Sequence, residues 1–224
     1  MRIYAITDIH GYFTAVVKQR RNILKTKPDV VIIIGDIVHF GSINQVSAIL
    51  KYLSFEDIPT FFIPGNCDPR ELLNVDIIRT CRNIHEKNVE MNNFVIVGFG
   101  GSNITPFNTL IEFNENEIYD RLKSSIDASD YRDKKLILVT HVPPYGTKLD
   151  ITFMHQHVGS KSVKRIIEEY QPLLSTHGHI HEAQGYDYIG RTLIINPGPA
   201  SRGFYANIII EEKDKIDFSI ERVK

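Results

Sequence analysis

Three apolar segments near the start of the chain each run directly into polar residues. The clearest of them, residues 30–34, is an unbroken series of Val and Ile, which is typical of a strand buried on both faces of a sheet. Stretches with the helical spacing of apolar residues separate the segments. The pattern predicts an α/β fold in which polar residues gather where the strands end. The three junctions are residues 3–7 with Asp8-Ile9-His10, residues 30–34 with Gly35-Asp36, and residues 60–63 with Pro64-Gly65-Asn66.

The spacing of apolar residues and the position of turn residues predict the later elements in the same way. Residues 83–85 and 94–99 are expected to be antiparallel strands with a turn at Asn92-Asn93, which indicates a second sheet. The other expected elements are helices at residues 13–24, 44–53, 115–126 and 159–170, and strands at residues 136–139, 173–176, 192–195, 207–210 and 216–220.

Composition limits the class of partner. The 224 residues include 26 Lys and Arg against 27 Asp and Glu, so the chain lacks the positive excess that favours a nucleic-acid partner. No segment approaches the roughly 20 apolar residues of a membrane span, and the start of the chain does not resemble a signal peptide. Cys67 and Cys81 are too few for a disulfide framework. We expect one cytoplasmic domain over residues 1–224, with no membrane partner, and the oligomeric state is left open.

Each strong polar cluster follows a predicted strand, so the side chains of these clusters are expected to converge on one site. Carboxylates, imidazoles and one amide oxygen suit divalent ions such as Mn, Fe or Zn, and no Cys cluster indicates a structural zinc site. Taken singly, the carboxylates and the amide also suit helix caps or turns. As a set, they favour a metal site. The predicted ligands are Asp8, His10, Asp36, Asn66, His141, His179 and His181.

Five motifs occur in the order and spacing that are found in calcineurin-like metallophosphoesterases, and the chain resembles that family over about residues 1–200. The resemblance implies an α/β fold of four layers, an αββα sandwich of two mixed β-sheets flanked by helices. The motifs are Asp8-x-His10, Gly35-Asp36, Gly65-Asn66-x-Asp68, His141 at the end of a strand, and Gly178-His179-x-His181.

The resemblance also implies two divalent metal ions per chain, with Mn preferred and Fe, Zn or Ni as alternatives. Asp36 would bridge the two ions, and a metal-bridging hydroxide would attack phosphorus in line. The residues expected to take part in catalysis are Asp36, Asn66, Cys67 and His141. The first ion would be held by Asp8, His10, Asp36 and His181, and the second by Asp36, Asn66, His141 and His179.

The third motif departs from the common family pattern, because Cys67 stands where many members have a His that is thought to protonate the leaving oxygen. A thiol is a poorer proton donor than imidazole for this task at neutral pH. The sequence Gly-Asn-Cys-Asp resembles a bacterial and archaeal phosphodiesterase subset, which favours phosphodiesters as substrates. Candidate substrate contacts are Asn66, Asn103, His157 and Arg202, of which the last three also suit an ordinary surface role.

Three functions are consistent with the sequence. The favoured one is hydrolysis of a small phosphate ester, with diesters preferred over monoesters. A nuclease of the same superfamily usually brings a basic groove or an extra capping domain, and the sequence indicates neither. A non-catalytic scaffold with this fold usually loses metal ligands, whereas all seven positions here hold ligating residues.

Overall fold

The computed structural model describes residues 1–223. Its α-helices are α1 (Phe13–Thr26), α2 (Ile43–Tyr52), α3 (Glu115–Asp127) and α4 (Lys161–Tyr170). Its strands are β1 (Arg2–Ile6), β2 (Val30–Ile34), β3 (Thr60–Ile63), β4 (Ile77–Ile78), β5 (Cys81–Asn83), β6 (Lys87–Met91), β7 (Phe94–Phe99), β8 (Ser102–Asn103), β9 (Glu112–Phe113), β10 (Lys135–Thr140), β11 (Leu174–Thr176), β12 (Gly185–Ile189), β13 (Thr192–Asn196), β14 (Phe204–Ile210) and β15 (Ile216–Arg222).

Most strands belong to two mixed sheets. The first has seven strands in the order β15-β14-β1-β2-β3-β5-β4, and the second has six in the order β12-β13-β11-β10-β7-β6. In each sheet the central strands are parallel, and antiparallel strands lie at the edges. The central strands are buried on both faces, which explains why they read as continuous apolar runs in the sequence.

Three apolar clusters hold four layers together. The two sheets pack face to face through residues such as Ile32 and Ile137. Alternate residues of the first sheet, including Val31 and Ile33, pack with α1 and α2, and the outer face of the second sheet packs with α3 and α4. This arrangement confirms the predicted αββα sandwich.

Side chains cap the starts of α2, α3 and α4. Ser42 and Gln45 form a capping box at the start of α2, because the Gln45 N–H donates to the Ser42 hydroxyl and the Ser42 N–H donates to the Gln45 side chain. Ser160 accepts from the Val163 N–H and caps the start of α4. None of the described helices is both long and apolar enough to cross a membrane.

The predicted antiparallel pairing of residues 83–85 with residues 94–99 is wrong, although an isolated parallel bridge joins His85 to Gly98. Cys81–Asn83 pairs in parallel with β3 in the first sheet, and β7 pairs instead with Lys87–Met91 across the Asn92-Asn93 turn. The Asn83 amide donates to the carbonyls of Leu72 and Val75, which fixes this segment against the first sheet. The edge strand β12 was not predicted, because its polar alternation gives no continuous apolar run.

Packing between the sheets is expected to carry much of the stability. Ile32 is fully buried in that layer, so Ile32→Ala is expected to lower the free energy of unfolding by about 2 to 5 kcal/mol, through lost apolar burial and the cavity left behind. Urea unfolding measures this change. Ile77→Ala is the matched control, because Ile77 is 58% exposed and should cost no more than about 0.5 kcal/mol. Equal losses in the two variants would contradict this account of the core.

Candidate metal centre

The loops after β1 and β2 lie side by side at one edge of the first sheet. The Asp8 N–H donates to the Gly35 carbonyl at 3.1 Å from N to O, and the His10 N–H donates to the Asp36 carbonyl at 2.8 Å. Parallel pairing of β1 and β2 thus continues into the loops. This continuation places Asp8, His10 and Asp36 beside one another.

The second sheet contributes His141, which follows β10. Its Nδ1 donates to the carbonyl of Ile34, the last residue of β2, at 2.8 Å. Because the carbonyl can only accept, this bond assigns the proton to Nδ1 in the neutral ring. The other nitrogen, Nε2, lies 3.0 Å from Asn66 Oδ1 and 3.5 Å from Asp36 Oδ1. This is the orientation that a metal-ligating histidine takes.

Asp36 is buried and faces two histidines from opposite oxygens. Its Oδ2 is 3.7 Å from His10 Nε2, and its Oδ1 is 3.5 Å from His141 Nε2. The Cys67 N–H also donates to Oδ1, at 2.9 Å. The carboxylate therefore faces both sides of the cluster, as a bridging ligand would.

The hydrogen bonds of the Asp8 carboxylate show whether a cation would fit between the candidate ligands. Its Oδ2 accepts from the Thr7 hydroxyl and the His179 N–H, but among the described residues its buried Oδ1 has no hydrogen-bond partner. That oxygen lies 3.2 Å from His181 Nε2, which is itself 3.0 Å from His10 Nε2. An unpartnered carboxylate oxygen beside two converging imidazole nitrogens fits a divalent metal ion.

The ligand atoms form two compact groups, one of Asp8, His10 and His181 and the other of Asp8, Asp36 and His141. Asp8 belongs to both groups, whereas the sequence predicted the bridging role for Asp36. His179 lies outside both groups and packs edge-on against His141, with 5.2 Å between ring centroids.

The imidazoles offset the charge of the buried carboxylates. Burial acts to raise the pKa of Asp36, but His141 and His10 outweigh it and hold that pKa below the usual range. Burial acts to lower the pKa of His141, and Asp36 more than reverses this, raising it to about 9. A proton on His141 and a divalent ion therefore compete to balance the same negative charge.

Four predicted ligands have a backbone conformation that non-glycine residues rarely adopt. Their φ angles are 55° for Asp8, 49° for His10, 49° for Asp36 and 70° for His179. Each such residue costs on the order of 1 to 3 kcal/mol, and such strain collects at functional sites. The surrounding hydrogen bonds hold these residues in place.

Two motif glycines are required by the closeness of the loops. A Cβ on Gly65 would lie 2.1 Å from Asp36 Oδ1, and one on Gly178 would lie 1.8 Å from Thr7 Oγ1. Both contacts are far shorter than van der Waals distance. Only glycine therefore lets these loops approach the carboxylates closely.

Asp68 is fully buried, and its side chain stabilises the loops after β2 and β3. Its carboxylate accepts from the N–H groups of Ile37, Val38 and Gly65. Burial, with Asp36 adding to it, raises the pKa of Asp68 to about 7. The side chain thus joins the loops after β2 and β3.

The two largest of the clefts that adjoin the ligand cluster contact different ligands. The first, called the His10 cleft, has a volume of about 660 Å³ and is lined by His10, Tyr12, His39, His181, Ser201 and Arg202. The second, called the Asn66 cleft, has a volume of about 560 Å³, and its lining includes Asn66, Asn103, Phe107, Phe153 and His179. The candidate substrate residues Arg202 and Asn103 therefore lie in different clefts.

The structure places His157 and Cys67 away from these cleft walls. His157 Nδ1 is 2.7 Å from the buried Asp150 carboxylate, which ties the ring to its own loop. Cys67 is buried beside Asn66. Burial, reinforced by the Asp36 charge, raises the pKa of its thiol.

The apolar side chains of the Asn66 cleft were not predicted from the sequence. Ile104 and Phe107 follow Gly100-Gly101, and Phe153 and Met154 follow Pro143-Pro144, so both segments read as ordinary loops. The one usable signal was the presence of large apolar residues within these loops. It does not distinguish a ligand pocket from a buried loop contact.

A double-sheet sandwich with carboxylates and imidazoles gathered at its strand ends defines a metal-dependent hydrolase. The chain belongs to the calcineurin-like phosphoesterase family, whose model matches residues 1–183. The predicted family is thus confirmed. The family implies a dinuclear centre of divalent ions, and this chain has the candidate ligand groups for it.

The chain is also similar to individual proteins. The chain is 39% identical over 210 residues to the uncharacterized protein MJ1162 of Methanocaldococcus jannaschii, covering 92% of this chain and 91% of that protein. It is 25% identical over 184 residues to a probable glycerophosphodiester phosphodiesterase, GpdQ, of Arcobacter nitrofigilis, covering 80% of this chain and 65% of that protein. The crystal structure of TT1561 of Thermus thermophilus shares the fold, with a TM-score of 0.76, 21% identity and coverage of 100% and 99% of the two chains.

Burial of His177 should make the stability of the folded protein sensitive to acid. His177 is fully buried, neither ring nitrogen has a hydrogen-bond partner among residues 1–223, and burial lowers its pKa to about 4. The unfolded chain takes up this proton near pH 6.5, so the stability that the neutral ring contributes is lost as pH falls from about 6.5 to about 4.

His177→Leu removes this titration. Between pH 7 and pH 5, the wild-type free energy of unfolding is expected to fall by about 2 kcal/mol more than that of the variant. Urea unfolding in the presence of a chelator measures both slopes without interference from metal binding. Parallel losses in the two proteins would show that His177 takes up its proton equally in the folded and unfolded states.

Proposed function

We propose that this chain hydrolyses small phosphodiesters at a centre of two divalent metal ions, with Mn as the working metal. The observation that carries the proposal is the presence of two clefts at different ends of the ligand cluster. The His10 cleft contacts His10 and His181, and the Asn66 cleft contacts Asn66 and His179.

Two clefts suit a diester better than a monoester. A phosphodiester carries one organic group on each side of phosphorus, so a phosphorus atom at the ligand cluster directs one group into each cleft. A monoester needs only one of them. The relative described as a probable glycerophosphodiester phosphodiesterase supports the same preference.

The ligand groups indicate how the metals would be held. Asp8, His10 and His181 would hold one ion, and Asp8, Asp36 and His141 would hold the other. Asn66, whose Oδ1 lies 3.0 Å from His141 Nε2, would join the second set. Bound there, the two ions polarise a phosphoryl oxygen and lower the pKa of water, which makes water an effective nucleophile at neutral pH.

The protein's own groups position the reactants. The Ile34 carbonyl keeps the proton of His141 on Nδ1, so that Nε2 faces the site. Arg202 lies in the His10 cleft, where its planar guanidinium can donate two hydrogen bonds to phosphate oxygens. Both roles orient the phosphate without covalent chemistry.

Rival functions fit the site less well. A nuclease needs a basic groove to follow a phosphate backbone, yet Arg202 is the one Lys or Arg that residues 1–223 place in the lining of these two clefts. A scaffold has no need of carboxylates buried at a cost beside unpartnered ligand atoms. Both features favour a small substrate and catalysis.

The first test measures hydrolysis of bis(p-nitrophenyl) phosphate and p-nitrophenyl phosphate by metal-stripped protein, with Mn, Ni, Zn or Mg added back. We expect Mn-dependent cleavage with the diester preferred, and a loss of at least about a hundredfold in Asp36→Asn because that carboxylate faces both ligand groups. The exposed Asp57→Asn serves as the matched control. A protein that binds two ions per chain and cleaves neither ester would refute the proposal.

A second test concerns the third motif. Cys67→His is expected to lower the diester-to-monoester ratio of kcat/KM, because imidazole can carry a positive charge near neutral pH and so favours the doubly charged phosphate of a monoester, whereas a neutral thiol does not. Cys81→Ser controls for the loss of a buried thiol elsewhere, and metal content is measured for each variant. An unchanged ratio in metal-loaded Cys67→His would remove Cys67 as a determinant of substrate preference.

A further inference from the structure

The Asn66 cleft is lined by the four most exposed large apolar side chains of the described chain. Phe107 and Phe153 are each 80% exposed, Met154 is 77% exposed and Ile104 is 67% exposed. Apolar side chains that cluster at the surface mark binding sites more often than chance. These four share a cleft with Asn66 and His179, so the apolar surface is continuous with the candidate metal centre.

The loop that carries Ile104 and Phe107 is held by one carboxylate. Glu112 accepts from the N–H and the hydroxyl of Thr105 and from the N–H and the hydroxyl of Thr109. Four hydrogen bonds across a short loop fix its shape. The exposure of Phe107 is therefore a property of an ordered loop.

The loop that carries Phe153 and Met154 is held in the same way. The fully buried Asp150 carboxylate accepts from the N–H groups of Gly146, Thr147 and Gly159. The ends of the loop pair with each other, and the Thr152 N–H donates to the Gln156 carbonyl at 3.0 Å. This loop is a closed hairpin with two apolar residues at its tip.

Two further bonds set the hairpin relative to the rest of the cleft. The Phe153 N–H donates to the Glu182 carboxylate, one residue beyond His181, at 3.0 Å. The Asn103 amide donates to the Val158 carbonyl at 3.3 Å and so joins the two loops. A pocket whose walls are fixed before binding loses little entropy on binding.

The lining indicates an aromatic ligand. Two phenylalanine rings offer faces for stacking, and Gln156 and Glu182 add hydrogen-bonding groups. A heterocycle can satisfy those groups, whereas an alkyl chain would bury them without partners. The negative charge of Glu182 disfavours a second phosphate in this cleft.

We propose that the Asn66 cleft binds an aromatic ring of nucleobase size, carried on one arm of the phosphodiester substrate. This inference rests on the proposed phosphodiesterase function and assigns a substrate class to it. Phe107 and Phe153 hold the ring, and the other arm of the diester occupies the His10 cleft.

Binding to the Mn-loaded protein tests the inference without relying on turnover. The probes are 1-naphthylmethylphosphonate and methylphosphonate, which share a phosphonate that the enzyme cannot hydrolyse, and affinities are measured by calorimetry. The naphthyl probe is expected to bind about tenfold more tightly, and Phe107→Ala/Phe153→Ala is expected to abolish that advantage while leaving methylphosphonate unchanged. Tyr188→Ala, which removes an exposed aromatic ring from β12, is the matched control and should keep the advantage.

The outcomes separate the inference from the function on which it rests. Equal affinity of wild-type protein for the two probes, or a naphthyl preference that survives in the double variant, overturns the inference and leaves the phosphodiesterase proposal in place. Tighter binding of decylphosphonate than of the naphthyl probe also overturns it, in favour of a lipid-like arm. If neither phosphonate binds to protein that holds two ions, the result contradicts both the proposed function and the inference.

Discussion

Burial of the Asp8 and Asp36 carboxylates, side by side at the edge of a double sheet, is the constraint on which the site depends. Removing a carboxylate from water is costly unless charge and hydrogen bonds replace its hydration. Here the replacement comes from His10, His141 and His181 and from backbone N–H groups. The arrangement leaves Asp8 Oδ1 without a hydrogen-bond partner among the described residues, and a divalent cation would satisfy that oxygen.

Both sheets contribute residues to this site. The first sheet supplies the loops with both carboxylates, and the second supplies His141, whose ring bonds to the Ile34 carbonyl across the interface. Packing between the sheets therefore sets the position of an imidazole to within a hydrogen-bond length. The loops beyond this edge differ in side chains, and they form two clefts with different linings beside the candidate metal centre.

Sequence patterns were most reliable where a strand is buried on both faces. Residues 30–34 and 60–63 were predicted with the bounds that the structure has, because continuous β-branched or aromatic runs admit few other structures. Asn83 was assigned to the wrong sheet, since its strand pairs with β3 and its amide bonds to the preceding turn, and neither contact is visible in the local apolar pattern. His177 had no assigned role in the sequence, and its burial without a hydrogen-bond partner depends on packing between elements that are far apart in the chain.

The sequence by itself determined the fold class, the family and the chemical types of the candidate ligands, because strand periodicity and motif order are local properties of the chain. Only the tertiary structure determined which side-chain atoms of remote segments lie close together. It orients Asp36 toward His10 and His141, assigns the proton of His141 and holds Asp8, His10, Asp36 and His179 at positive φ. It also brings Phe107 and Phe153 from separate loops into one cleft. These features depend on distances between remote segments, and such distances are set by how the layers pack.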